Sequence, residues 1–192
     1  MMRDIRHSAL IVSSSGQFNA AVMRFLSGFP MTDYRKSGAA ARRCIQERYY
    51  DIVIINAPLP DETGEQLAVY ITQQCSASVL FVISSDRCED ILDQMTDRGI
   101  LVLPKPFPHD RLGKAIRFLS AVQDRIHSLE KQAETMHERM EELRIVTKAK
   151  FLLVEHRHMS EDEAHRLIGK QAMDHGTSRK RIAQRILDDY EG

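Results

Sequence analysis

The chain has 192 residues, 43% hydrophobic and 28% charged, the make-up of a soluble globular protein of one domain or two small ones. Lys and Arg together number 27 and Asp and Glu 27, so the formal net charge is zero. That argues against a protein that coats DNA non-specifically, although a local basic face is enough to hold a nucleic acid.

The N-terminal half is expected to be an α/β domain built on a doubly wound, parallel, five-stranded sheet. Its apolar runs are Ala9-Leu10-Ile11-Val12, a weak one around Thr32-Asp33-Tyr34, Ile52-Val53-Ile54-Ile55, Val79-Leu80-Phe81-Val82-Ile83 and Ile100-Leu101-Val102-Leu103. The third and fourth are continuous rather than alternating, as parallel strands covered on both faces require. Helix-like stretches at residues 19–26 and 39–48 lie between runs, and such alternation implies a doubly wound sheet. Chemistry in these folds gathers at the carboxyl ends of the strands. Here those ends carry Ser13-Ser14-Ser15, Asn56, Ser84-Ser85 and Pro104-Lys105-Pro106.

Residues 8–119 resemble the receiver domains of bacterial response regulators, most closely at residues 51–64 (DIVIINAPLPDETG) and at Lys105-Pro106-Phe107. The resemblance places Asn56 where receivers carry the phosphoryl-accepting aspartate. Ser13 and Ser14 stand where they carry an acidic pair, Ser84 at the usual Ser/Thr position and Lys105 at the usual lysine. An amide offers no nucleophilic carboxylate oxygen, so Asn56 forms no acyl phosphate. Two serine hydroxyls are a poor substitute for the carboxylates that Mg²⁺ prefers. The expectation is a pseudo-receiver, a docking or dimerisation module in which Lys105 hydrogen-bonds Asn56 or nearby carbonyls.

From Leu112 a 3-4 rhythm runs through Ala115, Leu119, Val122, Ile126, Leu129, Ala133, Met136, Met140 and Leu143. Every slot is apolar, and no Gly or Pro interrupts the stretch after Gly113. This is the pattern of a coiled coil. A homodimer is expected through residues 112–146, with Leu119, Val122, Ile126, Leu129, Met136, Met140 and Leu143 at its interface. Its first turns belong to the last helix of the preceding domain, taken as residues 1–119, so no flexible linker is expected.

The heptad fails at Thr147, and a new face forms from Ile145, Ala149, Leu152, Leu153 and His156. Ser160 and Glu163 make a capping box that opens a second helix, with Ala164, Leu167, Ile168, Gln171 and Ala172 at helical spacing. Gly176 is the expected stop, and Ser178 caps a last helix with Ile182, Ile186 and Leu187 on its inner face. Residues 143–192 thus read as a three-helix domain. The stretch 143–187 resembles the ANTAR domain, the RNA-binding module of bacterial antiterminators of the amidase and nitrate-assimilation type. The matching residues are Ala149-Lys150, Leu152-Leu153, Ser160-Glu161-Asp162-Glu163-Ala164, Ala172-Met173, Ile182-Ala183 and Ile186-Leu187. Phe151 stands where many members have Gly. The resemblance implies binding of paired stem-loops in nascent leader RNA, preventing terminator formation.

Lys148, Lys150, Arg157, Lys170, Arg179, Lys180 and Arg181 are the RNA-contact candidates, with His156, His158, His165 and His175 as polar or stacking groups. The last two helices also satisfy a helix-turn-helix template, so a DNA-binding regulator is the alternative reading. A protein-protein adaptor is a third, and no nucleophile-base pair points to an enzyme. No metal site or cofactor is expected: Cys44, Cys75 and Cys88 are widely spaced without metal-ligand spacing, and His156 and His158 lack partners at ligand spacing. An odd cysteine number without a framework suggests reduced thiols in the cytoplasm. The first residues lack a signal-peptide apolar segment, and no apolar run approaches the ~18 residues that span a bilayer. Control through a ligand-sensing regulatory protein is expected if no phosphate enters.

Overall fold

The computed structural model describes residues 7–191. The chain falls into two compact units that divide between His127 and Ser128. In the first, β1 (Ser8–Val12), β2 (Met31–Arg35), β3 (Ile52–Asn56), β4 (Ser78–Ser84) and β5 (Leu101–Lys105) form a parallel sheet in the order β2-β1-β3-β4-β5. Helices α1 (Gly16–Met23), α2 (Gly38–Glu47), α3 (Glu65–Gln74) and α4 (Ser85–Thr96) fill the crossovers, and α5 (His109–Arg157) follows β5.

Alternate strand residues enter opposite faces. Leu10, Val12, Val53, Ile55, Val79, Phe81 and Ile83 pack with Ala41, Leu67, Ile71 and Ile91 of α2, α3 and α4. Ala9, Ile11, Ile52, Ile54, Leu80 and Val82 pack with Val22 of α1 and with Leu112, Ile116 and Leu119 of α5. Burial on both faces is why the inner strands read as continuous apolar runs. Helix α1 starts and ends earlier than expected. Phe25 and Leu26 close i→i−3 bonds to Val22 and Met23 instead of extending the helix.

Leu119 requires a correction. The heptad pattern assigned it to an interface between chains, but it is 4% exposed and lies in the core beside Leu112 and Ile116. The first turns of α5 cover the sheet, and the covering face uses the same apolar positions. A polar side chain strengthens this contact: Gln123, fully buried, donates from Nε2 to Ser76 O at 2.8 Å and Ser78 Oγ at 2.9 Å.

In the second unit the end of α5 packs with α6 (Glu161–Asp174) and α7 (Arg179–Glu191). The core is Val146, Ala149, Leu153, Ala164, Ile168, Ala172, Ile182, Ala183, Ile186 and Leu187. The capping box is present: Ser160 Oγ accepts from Glu163 N at 3.2 Å, and Glu163 Oε2 accepts from Ser160 N at 2.8 Å. Gly176 turns the chain at φ 58°, as its place after α6 required. His158 takes a left-handed conformation at φ 54° just after α5, a role that no glycine marked in the sequence. Among the described residues, no helix is long and apolar enough to cross a membrane.

Candidate functional site

At the carboxyl edge of the sheet, Asn56 ends β3 and Lys105 ends β5, while Ser13 follows β1. Asn56 Nδ2 donates to Ser13 Oγ at 3.0 Å, and Lys105 Nζ donates to Asn56 Oδ1 at 3.0 Å and to Ala57 O at 2.6 Å. Ser13 is buried, and its hydroxyl also accepts from Ser15 N at 3.1 Å. Burial pushes the Lys105 ammonium below the usual lysine range. Ser14 is exposed, and Ser84, at the strand position that pairs with Lys105, precedes α4 without a side-chain capping bond.

These residues do not fit Mg²⁺. The positions around Asn56 present an amide and a serine hydroxyl already bonded to each other, with no carboxylate among them. The acidic groups in the loop after β3 are committed elsewhere. Asp61 accepts from Gly38 N at 2.9 Å and Ala39 N at 3.0 Å, and Glu62 holds Arg42 through two bonds of 2.6 and 2.8 Å. The Ala39 and Gly38 amides hold the Asp61 carboxyl below its usual pKa. The loop closes at Gly64 (φ 91°), where a Cβ would come 3.2 Å from Phe81 and 3.3 Å from Ile55.

The basic candidates of the three-helix unit are distributed over several faces. Lys148 lines a shallow groove between α5 and α7 with Glu141, Arg144, Ile145, Gln184 and Leu187. Lys180 is exposed one turn before Gln184. Arg179 lies across Gly169 of α6, whose neighbour Lys170 is exposed, as is Arg181. Lys150 differs from expectation. It turns to the α5–α6 side and is bound to Glu161, with its side chain only 18% exposed. That contact holds the Glu161 carboxyl below its usual pKa. Arg157 Nε donates to Tyr190 Oη at 2.9 Å, and His156 stacks on the same ring at a centroid distance of 4.9 Å.

Residues 134–187 match the ANTAR domain family. A transcriptional regulatory protein of Mycobacterium tuberculosis, PdtaR, is 31% identical over 139 residues, which cover 72% of this chain and 67% of that protein. The chain belongs to the ANTAR family of transcriptional regulators.

The N-terminal unit of this ANTAR regulator has the receiver fold. It resembles the receiver domain of an HD-domain protein from Pseudomonas fluorescens (TM-score 0.56, 24% identity, 67% of this chain and 95% of that one). The chemotaxis response regulator CheY4 of Vibrio cholerae aligns over 59% of this chain and 98% of its own (TM-score 0.52, 20% identity). In the regulator, strand order alone brings Ser13, Asn56 and Lys105 together. The roles of Asp61 and Gln123 were not read from the sequence. An acidic residue in the turn after a strand gives no sign of which helix it will cap, and a polar residue in a heptad reads as solvent-facing.

Proposed function

We propose that this ANTAR regulator binds structured RNA as a homodimer and acts by antitermination, with a receiver-like unit that takes no phosphate. The observation that carries the reading is the α5–α7 groove inside the ANTAR unit. Arg144 and Lys148 line it, and Lys180 lies one turn from its Gln184. Two cations beside Ile145 and Leu187, with Glu141 the one anion among the lining residues, suit phosphates flanking splayed loop bases. The exposed Phe151, beside Lys148 and Leu187 in the adjoining hollow, adds a ring on which a base can stack. Lys150 and Arg157 contribute less, being held by Glu161 and Tyr190. Dimerisation rests on Leu129, Met136, Met140 and Leu143, which are 47 to 68% exposed in the single chain and continue one apolar stripe. With two RNA-binding units per dimer, paired stem-loops bind more tightly than one because the second contact is intramolecular.

Asn56, Ser13 and Lys105 support a unit that receives its signal otherwise. Their polar groups satisfy one another, as a resting docking module requires. A ligand-sensing protein that masks the ANTAR unit is the corresponding partner. The test is fluorescence anisotropy with the leader RNA of the protein's own operon, with one or two stem-loops, and with the matching duplex DNA. Tandem stem-loop RNA is expected to bind most tightly and duplex DNA weakly. Tight, sequence-specific binding to the duplex with no preference for RNA would overturn the reading in favour of a helix-turn-helix DNA regulator. Incubation with Mg²⁺ and a small phosphodonor is expected to leave the intact mass unchanged. A stoichiometric, acid-labile gain would sink the second claim.

A further inference from the structure

At the amino end of the sheet, opposite Asn56, two histidines and two carboxylates meet beneath α5. His7 precedes β1, Asp51 precedes β3, and Asp124 and His127 stand on the part of α5 that belongs to the first unit. His7 is 7% exposed and Asp51 4%, while the His127 side chain is 31% exposed. One ring nitrogen of each histidine and a carboxylate oxygen of Asp51 all lie within 4.8 Å of one another. It is the only such cluster among the described residues.

The carboxylate is oriented as a ligand is. Asp51 Oδ2 accepts from Ser8 N at 2.6 Å and Ser8 Oγ at 2.7 Å, which fixes the group and leaves Oδ1 facing His127. Oδ1 lies 3.0 Å from His127 Nε2, yet the two are not aligned as a hydrogen bond. On the other side His7 Nε2 lies 3.1 Å from Asp124 Oδ1, which leaves His7 Nδ1 as the nitrogen that is buried with no hydrogen-bond partner at all. Ordinary His–Asp pairs align the N–H on the oxygen. Short N···O contacts without that alignment are what results when lone pairs converge on one point. Ligands at about 2.1 Å from a tetrahedral ion lie about 3.4 Å apart, close to the 3.0 Å between His127 Nε2 and Asp51 Oδ1 and within the 4.8 Å that bounds all three ligand atoms.

We propose that His7, Asp51 and His127 form a binding site for a divalent transition-metal ion of the Zn²⁺ class, with Asp124 orienting the His7 ring. Two imidazoles and one carboxylate select such an ion over Mg²⁺ or Ca²⁺, which prefer all-oxygen sites. Asp124 beside His7, and Ser8 beneath Asp51, supply the outer partners that fix ligand geometry. The half-exposed His127 gives the ion its way in, and a water completes four-coordination. The ion takes the neutral imidazoles and displaces any ring proton to solvent. Because its ligands come from the starts of β1 and β3 and from α5, a bound ion ties α5 to the sheet just before the chain passes into the second unit.

The test uses the untagged full-length chain, stripped with a chelator and dialysed. Titration calorimetry with ZnCl₂ is expected to give one ion per chain, and Co²⁺ the visible absorption of a tetrahedral nitrogen–oxygen site. Zn²⁺, but not Mg²⁺, is expected to raise the unfolding temperature by about 5 °C or more. His127→Gln keeps the helix and is expected to bind Zn²⁺ about 100-fold more weakly while unfolding at the same temperature as the stripped parent. Asp51→Asn is a second variant, read by Co²⁺ absorption on protein shown to be folded by circular dichroism. Failure of the parent to take up Zn²⁺, or unchanged uptake in His127→Gln, overturns the proposal. Uptake abolished instead by changing His156 and His158 places the ion elsewhere and overturns it as well.

Discussion

The front and back of helix α5 carry one repeat and meet two fates. Leu112 and Leu119 are 0 and 4% exposed and lie against the sheet, whereas Leu129, Met136, Met140 and Leu143 are 47 to 68% exposed. Beyond them Val146, Ala149 and Leu153 are buried again, in the three-helix core. A period of three and four reports which face of a helix is apolar. It carries no information on whether a sheet, a second helix of the same chain or another copy covers that face.

The largest effect is expected at the front. Leu112→Ala removes a fully buried side chain and should cost about 3 kcal/mol of unfolding free energy in urea titration. Met140→Ala, at 67% exposure, should leave the unfolding of an isolated chain nearly unchanged. Equal losses at the two positions would erase the distinction between core and open stripe.

The back half is broken by charge. Leu129→Lys with Met136→Lys should shift light scattering from dimer to monomer, each lost layer contributing about 2 kcal/mol to association. A dimer that survives both places the interface on the receiver-like unit. Next in size, Lys148→Ala with Lys180→Ala should weaken stem-loop RNA binding about tenfold, or about 1.4 kcal/mol, and flatten its salt dependence. Lys150→Ala should weaken it less, because Glu161 already neutralises that ammonium. The reverse ranking would move the RNA surface to the α5–α6 side.

The smallest effect is a pH dependence. The Ala39 and Gly38 amides depress the Asp61 pKa, so its contribution to stability is present above the unfolded value of about 3.9 and is lost as pH falls through the lower folded value. Urea midpoints measured from pH 6 downwards should therefore fall more steeply for the parent than for Asp61→Asn. Parallel curves would remove Asp61 from the anchoring of α2.

The sheet was legible because its strands are buried on both faces and so appear as unbroken apolar runs. The meeting of Ser13, Asn56 and Lys105 was legible because strand order converts three distant positions into neighbours. Contacts set by side-chain reach were not. Gln123 bonds Ser76 across 47 residues, and Lys150 turns to Glu161 instead of solvent. The left-handed turn at His158 was hidden because its residue type gives no sign of it. The cluster of His7, Asp51 and His127 had no spacing signal, its members coming from two strand starts and a distant helix.

The bond between Lys105 and Asn56 also bears on descent. Replacing the Asn56 amide by a carboxylate would put an anion 3.0 Å from a half-buried ammonium, so that change gains an ion pair. It would not by itself make a Mg²⁺ site, because Ser13 and Ser14 would still bring no carboxylate. A first acidic change at Ser13 would bury a charge beside an amide already bonded there. A carboxylate at one of these positions alone is thus either without acidic neighbours or penalised by burial, so the three positions are coupled and favour acidic residues only together.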